Sequence, residues 1–256
     1  MLTDPATSDK RSLILRAALE LLACSGFHGF SMKQLAERAG VAAGTLYLYF
    51  KDREDAANRL SEALKAYENS KSIVIGIPKG GIEVGFYISK TLHLPLSYIL
   101  TKKIGHPSMP EYAIGVVSID DEFLDEELLK LENIPDSYIE DEIHRIRDNL
   151  KKSSQSYPLV TTDYFDKNVI LTDDGIATGK TMFLTLKLLK QKKPKKIIVA
   201  IPVGPSSSIE LIKELADEVI CLYTPLEFLG ISQFYSDFRQ LDDTQVQNYL
   251  KDANGI

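Results

Sequence analysis

Apolar residues along this chain recur with two different periods, and the order of the two periods predicts the fold. Short aliphatic runs are typical of buried strands, and they occur at residues 72–77, 96–101, 112–118, 169–172, 196–202 and 218–223. Segments with helical spacing lie between them, at residues 52–68, 82–91, 180–192 and 206–216. This alternation predicts an α/β fold, a parallel twisted sheet with helices on both faces. Ligands of such sheets bind at the carboxyl ends of the strands.

The first fifty residues follow a different pattern and predict a small all-α unit. Apolar positions at helical spacing mark a helix over residues 11–23. A second helix is expected over residues 31–39, because it opens on a capping box and is followed by Gly40. A short third helix is expected over residues 42–49. Two helices joined by a tight glycine turn predict a helix-turn-helix.

The stretch 169–181 carries the strongest chemical signal in the sequence. An apolar strand runs into two adjacent acids, Asp173 and Asp174, and then into small residues that precede a helix. The N-terminus of a helix suits a phosphate, because its first N–H groups lack intrahelical acceptors and its dipole favours an anion. The candidate donors are the backbone N–H groups of Ala177, Thr178, Gly179, Lys180 and Thr181.

Two alternatives compete for this stretch. Residues 174–181 almost spell a Walker A loop, but Asp174 stands where that loop has its first glycine. Two carboxylates would repel a triphosphate there. They suit a ribose 5-phosphate, because they can accept hydrogen bonds from the ribose hydroxyls. The acids could also simply cap the helix, although a cap needs only one acid.

The stretch resembles the signature of type I phosphoribosyltransferases, which bind 5-phosphoribosyl 1-pyrophosphate (PRPP). The resemblance covers about residues 50–250 and implies transfer of the phosphoribosyl group to a nucleobase or similar nitrogen nucleophile, with release of pyrophosphate. It implies Mg²⁺ as cofactor, held mainly through PRPP and by no direct protein ligand. It makes Asp173 and Asp174 the catalytic pair, and it places PRPP on them and on Gly175, Ala177, Thr178, Gly179, Lys180 and Thr181.

Other parts of the implied site lie before and after this stretch. Lys79, Gly80 and Gly81 follow the first strand and match the family's pyrophosphate loop, although Gly-Gly after proline is also a common turn. Lys102 and Lys103 could meet pyrophosphate from a loop over residues 102–107, or they could form a solvated strand end. Residues 120–154 are highly charged and are predicted to be helical. Candidates for an aromatic hood over the nucleophile are Phe228, Phe234 and Tyr235, which could equally pack against the sheet edge.

Residues 26–41 and 44–51 resemble the DNA-binding domain of the tetracycline-repressor (TetR) family. The resemblance implies DNA contacts by Lys33, Thr45, Tyr47 and Lys51. TetR proteins continue into a long helical dimerising domain, which this sequence lacks. The three helices could therefore serve packing or dimerisation instead of DNA binding.

Composition and charge exclude only some of the possible functions and locations of the protein. The 256 residues carry a formal net charge of −6, which argues against a globally basic nucleic-acid binder. No apolar run is long enough for a membrane span, and the start lacks the apolar region of a signal peptide, so a cytoplasmic protein is expected. Cys24 and Cys221 show no metal-ligand spacing and are expected to be reduced core residues.

The domain boundary is expected at residue 51, with Asp52 capping the next helix. Residues 1–51 form the predicted DNA-binding domain and residues 52–256 the phosphoribosyltransferase-like domain. One hypothesis is an enzyme, and the alternative is a transcriptional regulator that senses PRPP or a nucleotide without turnover. DNA recognition would need two reading heads, so a homodimer is expected.

Overall fold

The computed structural model describes residues 5–25, 30, 32–41, 49–155, 157–158 and 163–255. The chain divides into two compact units. The smaller unit is Met1–Lys51 together with Phe234–Ser236, and the larger unit is Asp52–Gln233 together with Asp237–Ile256. The later segment of the smaller unit was not anticipated from the sequence.

The smaller unit contains helices α1 (Pro5–Ser25) and α2 (Met32–Ala39). The first helix is longer than predicted, and the second begins one residue later. Ala17, Leu35 and Ala39 are buried against each other between the helices. The third predicted helix falls almost wholly outside the described residues. The backbone of Phe50 pairs with the later segment, because its N–H donates to the carbonyl of Phe234 at 3.0 Å.

The larger unit alternates helices and strands, as the sequence pattern predicts. Its helices are α3 (Arg53–Ala63), α4 (Gly80–Leu92), α5 (Glu126–Leu131), α6 (Asp136–Ser154), α7 (Lys180–Gln191), α8 (Ser206–Lys213) and α9 (Asp243–Asn254). Its strands are β1 (Ser72–Gly76), β2 (Leu96–Tyr98), β3 (Lys102–His106), β4 (Met109–Val117), β5 (Glu122–Leu124), β6 (Asn168–Thr172), β7 (Lys196–Val203) and β8 (Glu218–Tyr223). Short 3₁₀ turns occur at Lys65–Tyr67 and Ile231–Phe234.

In the described part of the chain, five parallel strands form the main sheet in the order β2-β1-β6-β7-β8. Successive strand residues point to opposite faces, so one side of the sheet packs on α7 and α8 and the other on α3, α4 and α9. Ile75 and Leu171 belong to the first face, and Val74 and Ile170 to the second. This is the predicted fold class, a parallel sheet with helices on both faces.

A second sheet was only partly predicted. Strands β3, β4 and β5 form an antiparallel sheet that packs with α5 and α6 through a core including Ile104, Ile114 and Ile146. The loop predicted over residues 102–107 is therefore wrong, because Lys102–His106 is a strand. The helical prediction for residues 120–154 is wrong at its start, where Glu122–Leu124 pairs with β4. Both segments are strands because they pair with β4, and the local sequence pattern gave no sign of that pairing.

Two expectations from composition meet different outcomes. Among the described residues, no helix is both long and apolar enough to cross a membrane. The prediction that Cys24 lies in the core is wrong, since its side chain is exposed, and Cys221 is half-buried.

We expect a buried leucine of α3 to contribute far more to the stability of the larger unit than an exposed leucine of α5 does. Leu60 on α3 is fully buried at 0% exposure, so Leu60→Ala should lower the free energy of unfolding by about 2–5 kcal/mol. Leu131 on α5 is 76% exposed, so Leu131→Ala should change it by less than about 0.5 kcal/mol. Urea unfolding of both variants checks this. Equal effects would contradict the packing described here.

Candidate active site

Two loops leave the main sheet side by side at its carboxyl edge. Strands β1 and β6 are parallel neighbours, and their last residues, Gly76 and Thr172, stand opposite each other. The pairing continues one residue further, because the N–H of Ile77 donates to the carbonyl of Thr172 at 3.0 Å. Residues far apart in sequence are thereby brought to one place, the carboxyl edge at which ligands of parallel sheets bind.

The paired glycines of the first loop let α4 lie directly against the two acids. A Cβ atom on Gly80 would overlap the carboxylate of Asp174. A Cβ atom on Gly81 would lie 2.6 Å from the carbonyl oxygen of Thr172 and 2.9 Å from the Cα of Asp173. The preceding peptide bond, between Pro78 and Lys79, is cis. The structure therefore brings Gly80 and Gly81 together with Asp173 and Asp174.

Backbone donors hold the carboxylate of Asp173. Its Oδ1 accepts the N–H of Asp174 at 2.9 Å, and the N–H of Gly81 also donates to this carboxylate. Burial raises the pKa of Asp173 well above its ordinary value, and the neighbouring Asp174 raises it further. The two backbone donors and Arg53 oppose that rise. Asp173 therefore ionises at a higher pH than an ordinary aspartate does.

The carboxylate of Asp174 is held by Arg53, a residue that the sequence reasoning missed. Arg53 Nε donates to Asp174 Oδ2 at 2.8 Å, and both side chains are largely buried. Burial raises the pKa of Asp174, and the charge and hydrogen bond of Arg53 act in the opposite direction. No local pattern could have identified Arg53, because its partner lies 121 residues away in the chain.

The second loop links the acids to the N-terminus of α7. Its backbone is tied to β7 by the N–H of Ile176, which donates to the carbonyl of Val203 at 2.9 Å. Ser208 Oγ donates to the carbonyl of Ala177 at 2.6 Å. Gly179 stands immediately before the helix with a left-handed φ of 71°. Ala177, Thr178, Lys180 and Thr181 are exposed, as a phosphate-binding loop requires.

The predicted lysines occupy different surroundings. Lys79 is exposed, and its Nζ lies 3.2 Å from Asp243 Oδ1 in the first turn of α9. Lys102 and Lys103 lie on β3, opposite Val117 and Val116 of β4. The second sheet thus carries this pair, and its contact with pyrophosphate stays a prediction.

The three hood candidates do not share one environment. Phe228 is half-buried in the segment that follows β8. Phe234 and Tyr235 are buried within the smaller unit, where their rings pack on Tyr49 at 5.0 Å and on Phe50 at 5.3 Å between centroids. Their role beside a nucleophile stays a prediction.

The DNA-contact candidates are described only in part. Thr45 and Tyr47 lie outside the described residues, as does the side chain of Lys33. Lys51 is exposed immediately before Asp52, which caps α3 by accepting the N–H of Asp55 at 2.9 Å. The predicted cap is confirmed, and the DNA contacts stay predictions.

The donor set around the acids fits a magnesium ion that a ligand brings with it. No cluster of three or more His, Cys, Asp or Glu that could hold a metal occurs in the described ranges. Mg²⁺ commonly keeps several waters and binds through one or two carboxylates and the phosphates of a substrate. Asp173 and Asp174 are two such carboxylates beside a phosphate-type loop.

Comparison with known proteins decides the family. Residues 48–239 match the sequence model of the phosphoribosyl transferase domain, which is well over half of the chain. The chain belongs to the phosphoribosyl transferase domain family. Residues 14–59, by contrast, match the model of bacterial regulatory proteins of the tetR family. The chain thus joins a phosphoribosyl transferase domain to a TetR-like N-terminal segment.

Individual relatives match either most of this chain or only a short part of it. A Mycobacterium tuberculosis protein named "Putative phosphoribosyl transferase" is 29% identical over 213 residues, 80% of this chain and 47% of the relative. The chain therefore spans about half the length of the curated relatives it matches. The crystal structure of TT1426 from Thermus thermophilus is 32% identical with a TM-score of 0.72, over 80% of this chain and 98% of that one. The Bacillus subtilis fatty acid metabolism regulator protein is 50% identical over 42 residues, 16% of this chain and 22% of the regulator.

We expect the close approach at Gly81 to be indispensable to this phosphoribosyl transferase domain. Gly81→Ala should lower the free energy of unfolding by about 1–3 kcal/mol, because the added Cβ meets backbone atoms that cannot move aside. Gly230→Ala is the matched control, since a Cβ there meets nothing within 4 Å. Urea unfolding measures both. A Gly81→Ala protein as stable as the wild type would refute the contact.

The raised pKa of Asp173 predicts a specific dependence of stability on pH. Above about pH 3.9, where the unfolded chain ionises, the folded state holds more protons, so stability falls as pH rises towards the folded pKa of Asp173. Asp173→Asn cannot ionise, so its stability relative to the wild type should increase over this range. Urea unfolding at a series of pH values measures the difference.

Asp166→Asn is a control of opposite sign. The ion pair with Lys71 lowers the pKa of Asp166, so this carboxylate adds stability above pH 3.9 and loses it as the pH falls. The pair is exposed, so its effect should be small. A stability difference for Asp173→Asn that does not change with pH would contradict the raised pKa of Asp173.

Proposed function

We propose that the larger unit is a phosphoribosyltransferase that uses Mg-PRPP and transfers the phosphoribosyl group to a nucleobase or similar nitrogen nucleophile, with release of pyrophosphate. The observation that carries this proposal is the position of the Asp173–Asp174 pair. The pair stands between a Gly-Gly loop on one neighbouring strand and a helix N-terminal loop on its own strand. Membership of the family supports the same reaction.

Each part of this arrangement has a role in the proposed reaction. Asp173 and Asp174 orient the ribose by accepting hydrogen bonds from its hydroxyls. The loop from Ala177 to Thr181 receives the 5-phosphate at the N-terminus of α7, where N–H groups and the helix dipole favour an anion. Lys79, Gly80 and Gly81 receive the pyrophosphate. Bound Mg²⁺ would supply positive charge for the pyrophosphate that leaves.

Positioning and charge supply most of the catalysis in this proposal. The bond between ribose C1 and the pyrophosphate oxygen breaks, and a bond from C1 to nitrogen forms. The sugar gains positive charge in an oxocarbenium-like transition state. That positive charge favours the ionised form of the acids beside the ring, and the ionised acids stabilise it in turn. The buried surroundings strengthen that interaction, because charges interact more strongly where water is excluded.

A second candidate function rests on the match of residues 14–59 to TetR-type regulators. In this candidate the N-terminal unit binds DNA, and the larger unit senses PRPP or a nucleotide without turnover. TetR-like reading of DNA would need two copies of the chain, one for each half-site. Turnover separates the candidates, because a sensor binds PRPP without consuming it.

Calorimetric titration of PRPP with Mg²⁺, followed by pyrophosphate release across a panel of nucleobases, tests the proposal. We expect the wild type to bind, and Asp173→Asn/Asp174→Asn to lose binding by at least about tenfold, which is about 1.4 kcal/mol. The exposed variant Asp166→Asn should bind like the wild type.

The outcomes separate the two functions. Pyrophosphate released with one base establishes the enzyme and names its acceptor. Binding without release favours the sensor, and the full chain should then bind operator DNA with an affinity that falls steeply with salt. Wild-type protein that does not bind PRPP overturns both candidates.

A further inference from the structure

The lysine of the Gly-Gly loop is paired with an acid from the last helix of the chain. Lys79 stands immediately before α4, and its Nζ lies 3.2 Å from Oδ1 of Asp243 in the first turn of α9. The same oxygen accepts a hydrogen bond from the hydroxyl of Tyr157 at 3.4 Å. The two charged side chains are 46% and 53% exposed, so a ligand can approach the ammonium from solvent.

Buried contacts hold α9 in place beside the loop. Val246 and Leu250 of α9 are fully buried in the core that α9 shares with α3 and α4. The hydroxyl of Tyr249 donates to Oε1 of Glu83 on α4 at 2.9 Å. The Gly-Gly loop opens α4, so the packing of α9 on α4 fixes the first turn of α9 next to that loop. The position of Asp243 is therefore set by the core and does not depend on its own exposed ion pair.

Asp243 and a bound pyrophosphate would compete for one ammonium. A lysine ammonium is a compact charge with three donors, which it can direct to a carboxylate or to a phosphate. An exposed ion pair contributes little to stability, so a polyanion can displace the carboxylate. Asp243 also repels an anion on Lys79, because like charges repel. Both effects oppose the binding of pyrophosphate and favour its release.

We propose that Asp243 is a positioning residue for Lys79, holding the ammonium beside the Gly-Gly loop while the site is empty and yielding it to pyrophosphate. The inference rests on the proposed function, in which Lys79, Gly80 and Gly81 receive pyrophosphate. It gives α9 a part in the reaction, because Asp243 recovers the ammonium as pyrophosphate leaves.

The test uses one ligand that carries pyrophosphate and one that lacks it. Calorimetry measures the affinity of the full chain for PRPP with Mg²⁺, and separately for ribose 5-phosphate. The wild type is compared with Asp243→Asn, Asp243→Glu, Lys79→Met and the double variant Lys79→Met/Asp243→Asn. Asp252→Asn is the matched control, since it removes an exposed acid from the last turn of the same helix.

We expect Asp243→Asn to bind PRPP about two- to fivefold more tightly than the wild type, since only the wild type has an exposed ion pair to give up. The affinity for ribose 5-phosphate should not change. Lys79→Met should weaken PRPP binding about tenfold or more, and Asp243→Asn should then have a smaller effect, because no ammonium remains to be released. Asp243→Glu keeps the pair and should bind like the wild type, as should Asp252→Asn.

A merely structural Asp243 would give a different result. An acid in the first turn stabilises a helix through the helix dipole, so its loss would lower the free energy of unfolding without tightening PRPP binding. PRPP affinity that is unchanged or lower in Asp243→Asn overturns the inference. An Asp243→Asn effect of the same size with and without Lys79, or an equal effect on ribose 5-phosphate, also overturns it. Wild-type protein that does not bind PRPP overturns the proposed function and this inference together.

Discussion

The parallel pairing of β1 with β6 is the constraint on which the site depends. It places Gly76 opposite Thr172, so the loops that follow begin at one level of the sheet. The two loops can then approach only because Gly80 and Gly81 lack side chains, since a Cβ on either would meet the acids or the backbone beside them. Backbone pairing and the absence of two methyl groups therefore determine where the carboxylates stand.

The close packing around Asp173 and Asp174 has an electrostatic cost. Asp173 and Asp174 are adjacent acids in surroundings that favour their neutral forms. Hydrophobic residues would fill the same space without that penalty. Two adjacent acids with raised pKa values are typical of functional sites, which commonly sacrifice stability for function. Arg53 reduces the penalty for one acid, while backbone N–H groups support the other.

The sequence predicted those features that local signals specify. The strand Glu218–Tyr223 and the cap at Asp52 follow from short-range pattern, and the signature at 169–181 located the two acids. The hairpin partner β3 was missed because strand pairing depends on contacts distant in sequence. Arg53 was missed for the same reason, since it contacts Asp174 and the carbonyl of Arg239, 186 residues away. Sequence periodicity carries no information about such long-range contacts.

The short segment Phe234–Ser236 gives the domain organisation an unexpected form. It belongs to the compact unit of residues 1–51, although the chain on both sides of it belongs to the larger unit. Its backbone exchanges hydrogen bonds with Phe50, at 3.0 Å and 2.9 Å. A cut at residue 51 would strip this segment of its pairing partner and uncover two buried rings, Phe234 and Tyr235. The smaller unit is therefore built from two stretches of chain that are far apart in sequence, and removal of the first stretch would leave the second without the backbone and ring contacts it makes in this unit.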